Sequence, residues 1–141
     1  MRALPLTRLE DGAAIATVQL AETFWTRFRG LMLSSPLPRD GGLWLEPCDS
    51  VHMLFMRYRI DVVFARREEG AAGPVVEVLK VKERVLPWLG MAWCPKASIA
   101  IELAAGRAAE FGVQAGDHLR LGPVDAKQES QGASLQREVE A

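Results

Sequence analysis

Residues 48–64, CDSVHMLFMRYRIDVVF, decide the fold. From Met56 the chain alternates: Met56, Tyr58, Ile60, Val62 and Phe64 share one face, while Arg57, Arg59, Asp61, Val63 and Ala65 share the other. A period of two with one apolar side is the pattern of a half-buried strand. Residues 56–64 are therefore expected to form a strand with the Met56 to Phe64 face inward and Asp61 on the arginine-flanked face. RREEGAAGP (66–74) reads as a solvated turn, and the β-branched run VVEVLKVKERV (75–85) as the antiparallel partner of a long-looped hairpin.

The same reasoning extends in both directions. The stretch up to about Leu20 is extended. Phe24, Phe28 and Leu31 then recur at helical spacing, with Trp25 and Met32 widening the stripe, so residues 21–32 are expected to be an amphipathic helix. PLPRDGG (36–42) supplies turn chemistry before an extended LWLE (43–46). LPWLGMAWCP (86–95) is too broken by proline and glycine for a helix and reads as a flap on the sheet. In KASIAIELAAG (96–106) Ile99, Ile101 and Leu103 point one way and Ser98, Ala100 and Glu102 the other. A short helix to Phe111, a glycine turn at 112–116 and a last strand with Leu119 and Leu121 inward complete the domain. Strands outnumber helices without βαβ alternation. The expected class is α+β, a β-rich and mainly antiparallel sheet or barrel-like domain with one or two short helices.

Composition bounds the function. A chain of 141 residues, 49% hydrophobic and 25% charged, suits one domain over 1–123, followed by a polar tail (124–141) read as flexible. Its net charge of -1 lacks the basic excess that counterion-release binding of nucleic acid requires. Thr7, Arg8, Glu10 and Asp11 interrupt the N-terminal apolar residues, so neither a signal peptide nor a membrane span is expected, and the chain is read as cytoplasmic. No phosphate-loop or dinucleotide fingerprint occurs, so no cofactor is expected.

Four segments, RFRGLM (27–32), FMRYRIDVVF (55–64), IELAAG (101–106) and GVQAGDHL (112–119), occur in the order seen in the DUF192 family of small bacterial and archaeal domains, and the chain resembles that family over roughly residues 14–121. The resemblance implies a small β-rich domain of unknown function. It marks Arg27, Arg29, Gly30, Met32, Met56, Asp61, Glu102, Gly106 and Asp117. Phe55, Arg57, Tyr58 and Arg59 depart from the commoner pattern and approach a subgroup with an upstream histidine, where His52 stands here.

Three chemistries compete for these residues. In the first, a non-enzymatic or accessory domain holds a small molecule or peptide in a polar cleft between helix 21–32, strand 56–64 and the 86–95 loop. Arg27, Arg29, Asp61 and Glu102 form its floor, His52 its edge, and Trp88, with Trp44, Trp93 and Tyr58, its aromatic border. In the second, Asp61 and Glu102 are a working acid-base pair beside His52; the plainer alternative for both carboxylates is a structural bridge to arginine. In the third, Cys48, His52, Met56 and Cys94 bind a soft metal or perform thiol chemistry. Cys48, His52 and Met56 share a face only if the segment turns, because residues four apart on a strand lie roughly 13 Å from each other. The plainer alternative is a pair of free thiols and a core histidine. His118, beside Asp117 and Arg120, is read as a surface residue.

Overall fold

The computed structural model describes residues 2–21, 36–52, 57–70 and 74–123, with the His52 side chain excepted. Nine strands are present among them: β1 (Ala3–Arg8), β2 (Ala14–Ala21), β3 (Gly41–Leu45), β4 (Ser50–His52), β5 (Ile60–Arg67), β6 (Val75–Val85), β7 (Met91–Trp93), β8 (Ile99–Ala104) and β9 (His118–Leu121). One five-residue helix, α1 (Arg107–Phe111), lies between β8 and β9. Seven strands close into a barrel in the order β1-β2-β3-β8-β5-β6-β9, while β4 and β7 pair separately as a two-stranded ribbon. All the barrel pairs are antiparallel except β2 with β3. The β-rich, barrel-like, mainly antiparallel class is thus the observed one.

Closure gives the sheet two faces with different fates. Inside the barrel, Leu6, Val18, Leu20, Trp44, Val63 and Val78 pack with Ile99, Ile101, Leu103, Leu119 and Leu121. The alternation in β8 and β9 therefore points as the sequence indicates. Ala108 of α1 and Val113 complete this cluster. Gly42 allows β2 and β8 to close on β3, because a Cβ there would lie 2.8 Å from Val18 Cγ1 and 2.9 Å from the Glu102 carbonyl oxygen.

Outside the barrel, Leu43, Leu45, Ile60, Val62, Phe64 and Ala100 form a second cluster with Val51 of β4 and Ala92 of β7. The β4-β7 ribbon therefore packs against the outer face of β3, β8 and β5, and these strands are buried on both sides. This corrects the reading of β5. The strand spans 60–67 rather than 56–64, Arg57 and Arg59 precede it, and every residue from Ile60 to Ala65 is buried. The Ile60, Val62 and Phe64 face looks out of the barrel toward the ribbon, while Asp61, Val63 and Ala65 look in. A strand covered on both faces reads as a continuous apolar run, and IDVVFA is one, interrupted only by Asp61.

The hairpin of β5 with β6 forms as expected, with bulges between Ile60 and Val62 and between Phe64 and Ala65. Beyond β3 a cis Glu46-Pro47 bond leads to Cys48. There Arg67 holds Glu46 through two contacts of 2.6 and 2.7 Å, joining the ends of β3 and β5. Helix 21–32 falls outside the described residues apart from Ala21, which ends β2. The tail 124–141 falls outside them as well.

Candidate functional site

The strand β8, IAIELA, places a glutamate where the pleat demands an apolar residue. Glu102 lies opposite Leu43 of β3 and Val62 of β5, so it shares their outward face. Its neighbours on that face along β8 are Ala100 and Ala104, which pair with Phe64 and Ile60. The carboxyl is thus the polar centre of an alkyl surface. It is only 7% exposed, and its Oε2 has no hydrogen-bond partner among the described residues. Burial pushes the carboxyl up from 4.5 to about 7, because the charged form has lost its water. A buried acid of this kind is costly to the fold, and such groups concentrate at sites where a ligand completes them.

Asp61 is one residue out of register with Glu102. It pairs with Leu103, on the opposite side of the sheet. Two carboxyls on opposite faces cannot act on one substrate, so the structure does not bring the expected acid-base pair together. Nor does Asp61 form an exposed ion-pair stripe with Arg57 and Arg59, since it is fully buried and they are exposed. Its Oδ1 accepts the Arg84 amide at 2.9 Å, and its Oδ2 accepts the amides of Gly106 (3.0 Å) and Ala108 (2.9 Å). Asp61 therefore caps α1 from a distant strand, in place of Gly106, which stands at the N-cap without a side chain. It also holds Arg84 at a φ of 50°, a left-handed conformation that costs a non-glycine residue about 1 kcal/mol or more.

The remaining expected site residues separate. Cys48 and Cys94 form no disulfide, both are half-buried against the outer cluster, and the Cys48 thiol donates to the Ser50 carbonyl at 3.1 Å. His52 lies in β4 at the register position opposite Met91, so the chain from Ser50 to His52 is extended rather than turned. Met56, Arg27 and Arg29 lie outside the described residues. Among the described residues, Cys48 and Cys94 join no group of three metal-ligating side chains.

Trp44 does not line a groove. It is buried inside the barrel, with its Nε1 donating to Glu46 at 3.3 Å. Trp88 and Trp93 behave differently and are about half exposed. Trp88 has a φ of 66°, in a tight turn where the Leu89 amide donates to Pro87 and the Gly90 amide to Leu86. A Cβ at Gly90 would collide with the Leu86 carbonyl oxygen and with Val85 Cγ1, so only glycine permits this turn. Gly90→Ala is expected to cost roughly 2 kcal/mol in urea unfolding and to change the tryptophan emission of the folded protein.

A polar group that the sequence reading missed lies elsewhere on the barrel. His118 is half-buried, with Nδ1 2.9 Å from Glu10 Oε2 and Nε2 3.7 Å from Glu68 Oε2. One ligand atom each from Glu68, Glu77 and His118 lie within 4.8 Å of one another. Glu77 also pairs with Arg66 at 3.4 Å. These residues are scattered across the sequence and meet only because β1, β5, β6 and β9 close that part of the barrel, so no spacing announced them. Asp117, next to His118, accepts the Gln114 amide at 3.0 Å and the Arg8 guanidinium at 3.3 Å, which accounts for it as a turn residue.

Known proteins resemble this chain in family and in fold. The family model DUF192, described as "Uncharacterized ACR, COG1430", matches residues 7–121. No curated protein matches the chain. Among solved structures, a "putative transcription regulator" from Sinorhizobium meliloti 1021 superposes with a TM-score of 0.71 at 20% identity, covering 85% of this chain and 94% of its own. A protein of unknown function from Novosphingobium aromaticivorans DSM 12444 superposes with a TM-score of 0.70 at 19% identity, covering 84% of each chain. At these identities the likeness is one of fold.

Proposed function

Since the chain belongs to the DUF192 family, whose function is not established, we propose from its own side chains that it is a binding domain whose ligand reaches Glu102 on the outer face of the sheet. The single observation that carries this reading is the Glu102 carboxyl, buried among alkyl groups with Oε2 unpartnered among the described residues. A small molecule or peptide that presents an N–H donor would satisfy that oxygen and remove the cost of leaving it bare. Recognition fits better than acid-base catalysis, which needs two groups with separated pKa values around one substrate. Here Asp61 is occupied by three amides on the opposite face. Trp88, half-exposed in the loop that follows β6, is proposed as the aromatic rim. A cytoplasmic setting is part of the proposal and is consistent with two cysteines that form no disulfide.

The test is a thermal-shift screen of the full chain with amines, amides and short peptides. At least one compound should raise the melting temperature of the wild type, as a ligand that binds only the native state must. The same compound should have no effect on Glu102→Leu. Silence of the wild type across such a library, or an equal shift in the variant, would remove the reading.

A further inference from the structure

We propose that the turn between β6 and β7 is a docking tip for an anionic lipid surface. This inference does not rest on Glu102, although Trp88 belongs to both readings. The turn and the β7 strand after it carry the exposed large apolar side chains of the described residues: Leu86, Trp88 and Leu89 on the turn, Met91 and Trp93 on β7. Leu89, at the apex, is 88% exposed. These residues fall within the eight-residue stretch 86–93, whose turn is closed by the Gly90 to Leu86 hydrogen bond. An apolar patch of this kind on a small domain marks an interaction surface rather than chance exposure.

The charge around it selects the partner. Arg57 and Arg59 lead into Ile60, which pairs with Val85 at the base of the turn. Lys80 and Lys82 lie on β6 just before it, and the Lys80 ammonium donates to the Trp93 carbonyl at 2.9 Å and sits 5.6 Å from the centroid of its ring. Lys96 follows β7. Segments 57–59 and 80–96 together hold six basic residues against one acid, Glu83, in a chain whose net charge is -1, so the rest of the molecule is acidic. A field of this polarity turns the tip toward a negative surface and the remainder away from it. Tryptophan with leucine and methionine at the apex and basic side chains behind is the composition that enters the headgroup boundary, where indole rings keep one edge wet and lysine stems extend to phosphate.

Vesicle sedimentation of the full chain tests this. The probes are phosphatidylcholine vesicles with and without about 30% phosphatidylserine, at an ionic strength near 0.03 M, where the Debye length is long. The wild type should partition to the anionic vesicles at least tenfold more than to the neutral ones, with a blue shift in tryptophan emission. Leu89→Asp, at a side chain too exposed to affect folding, should reduce that partitioning at least tenfold. The double variant Arg59→Glu, Lys82→Glu should do the same, and so should about 0.5 M salt. Absence of sedimentation by the wild type would overturn the proposal. Binding that Leu89→Asp leaves intact would also overturn it, by showing attraction without insertion. A wild-type dimer in light scattering that Leu89→Asp dissociates, with no vesicle binding, would assign the tip to a second copy of the chain instead. Glu102 is untouched in every arm, so failure here leaves the ligand reading standing, and the reverse also holds.

Discussion

Asp61→Ala is expected to lose about 3–5 kcal/mol of stability, a large share of the 5–15 kcal/mol that holds a domain of this size together. Three backbone amides donate to that carboxylate: Arg84 at 2.9 Å, Gly106 at 3.0 Å and Ala108 at 2.9 Å. Hydrogen bonds to a charged acceptor contribute roughly 1.5–3 kcal/mol each, and a buried donor left without a partner adds its own desolvation cost. The Ala108 amide is buried, so water cannot fully replace the lost acceptor. Three further consequences separate this role from a binding role. Hydrogen exchange should accelerate at Gly106 and Ala108, because α1 loses its start. Asp61→Asn should cost roughly half as much as alanine, since one acceptor oxygen survives. Any ligand-induced thermal shift should persist in Asp61→Asn. A near-neutral Asp61→Ala in urea unfolding would show that the amides find other acceptors.

Glu102→Leu is expected to change stability in the opposite direction, by about 1–3 kcal/mol of stabilisation at pH 7.5. The substitution replaces a bare buried carboxyl with an alkyl group of similar size, beside Leu43, Val62, Ala100 and Ala104. Stabilisation together with loss of ligand response is what a binding residue that burdens the fold produces. A structural residue would lose stability on the same change. The pH dependence gives a second, independent readout. Glu102 in the folded protein titrates at about 7, against 4.5 for an unhindered carboxyl. Below pH 4.5 it is neutral in both states and favours neither. As the pH rises from 4.5 to 7, the unfolded chain releases the proton while the folded chain keeps it. The group's contribution to stability therefore falls across this window, by about 3 kcal/mol in all, and levels off above it. Glu102→Gln should remove this slope. Asp11 does not obscure the measurement. Its hydrogen bond to Arg8 lowers its pKa from 3.8, so the stability it contributes is lost only as the pH falls below that value. Equal slopes in wild type and Glu102→Gln between pH 5 and 7.5 would show that Glu102 does not carry the titration.

Much of the barrel was legible because its strands announce themselves by period. Ile99, Ile101 and Leu103 point into the barrel as their alternation requires, and Leu119 and Leu121 do the same. The β5-β6 hairpin and α1 form where turn residues and glycines frame them. Arg57 to Asp61 depart from that rule. There, alternation between arginines and apolar residues imitates a half-buried strand, but Arg57 and Arg59 lie before the strand begins. The two sets of residues keep separate faces, but the Asp61 face is the one that looks into the barrel, so Asp61 is fully buried rather than part of an exposed charged stripe. Periodicity gives which residues share a face. It does not give what lies against that face, because the covering element can be remote, as β4 and β7 are here.

The amino-acid sequence by itself determined the β-rich class, the family and the pairs of residues that share a strand face, because these follow from local backbone preference and side-chain order. It also singled out Asp61 and Glu102 as candidate site carboxyls. Only the tertiary structure decided where each one lies. Closure of the barrel puts Asp61 within 3.0 Å of three amides from β6 and from the start of α1, so its charge is spent holding backbone. A shift of one position in register, Val62 rather than Asp61 opposite Glu102, turns the second carboxyl to the outer face and leaves its Oε2 bare. Neighbouring register positions on a pleated sheet face opposite ways, and only the pairing of strands from distant parts of the chain sets which residue takes which position.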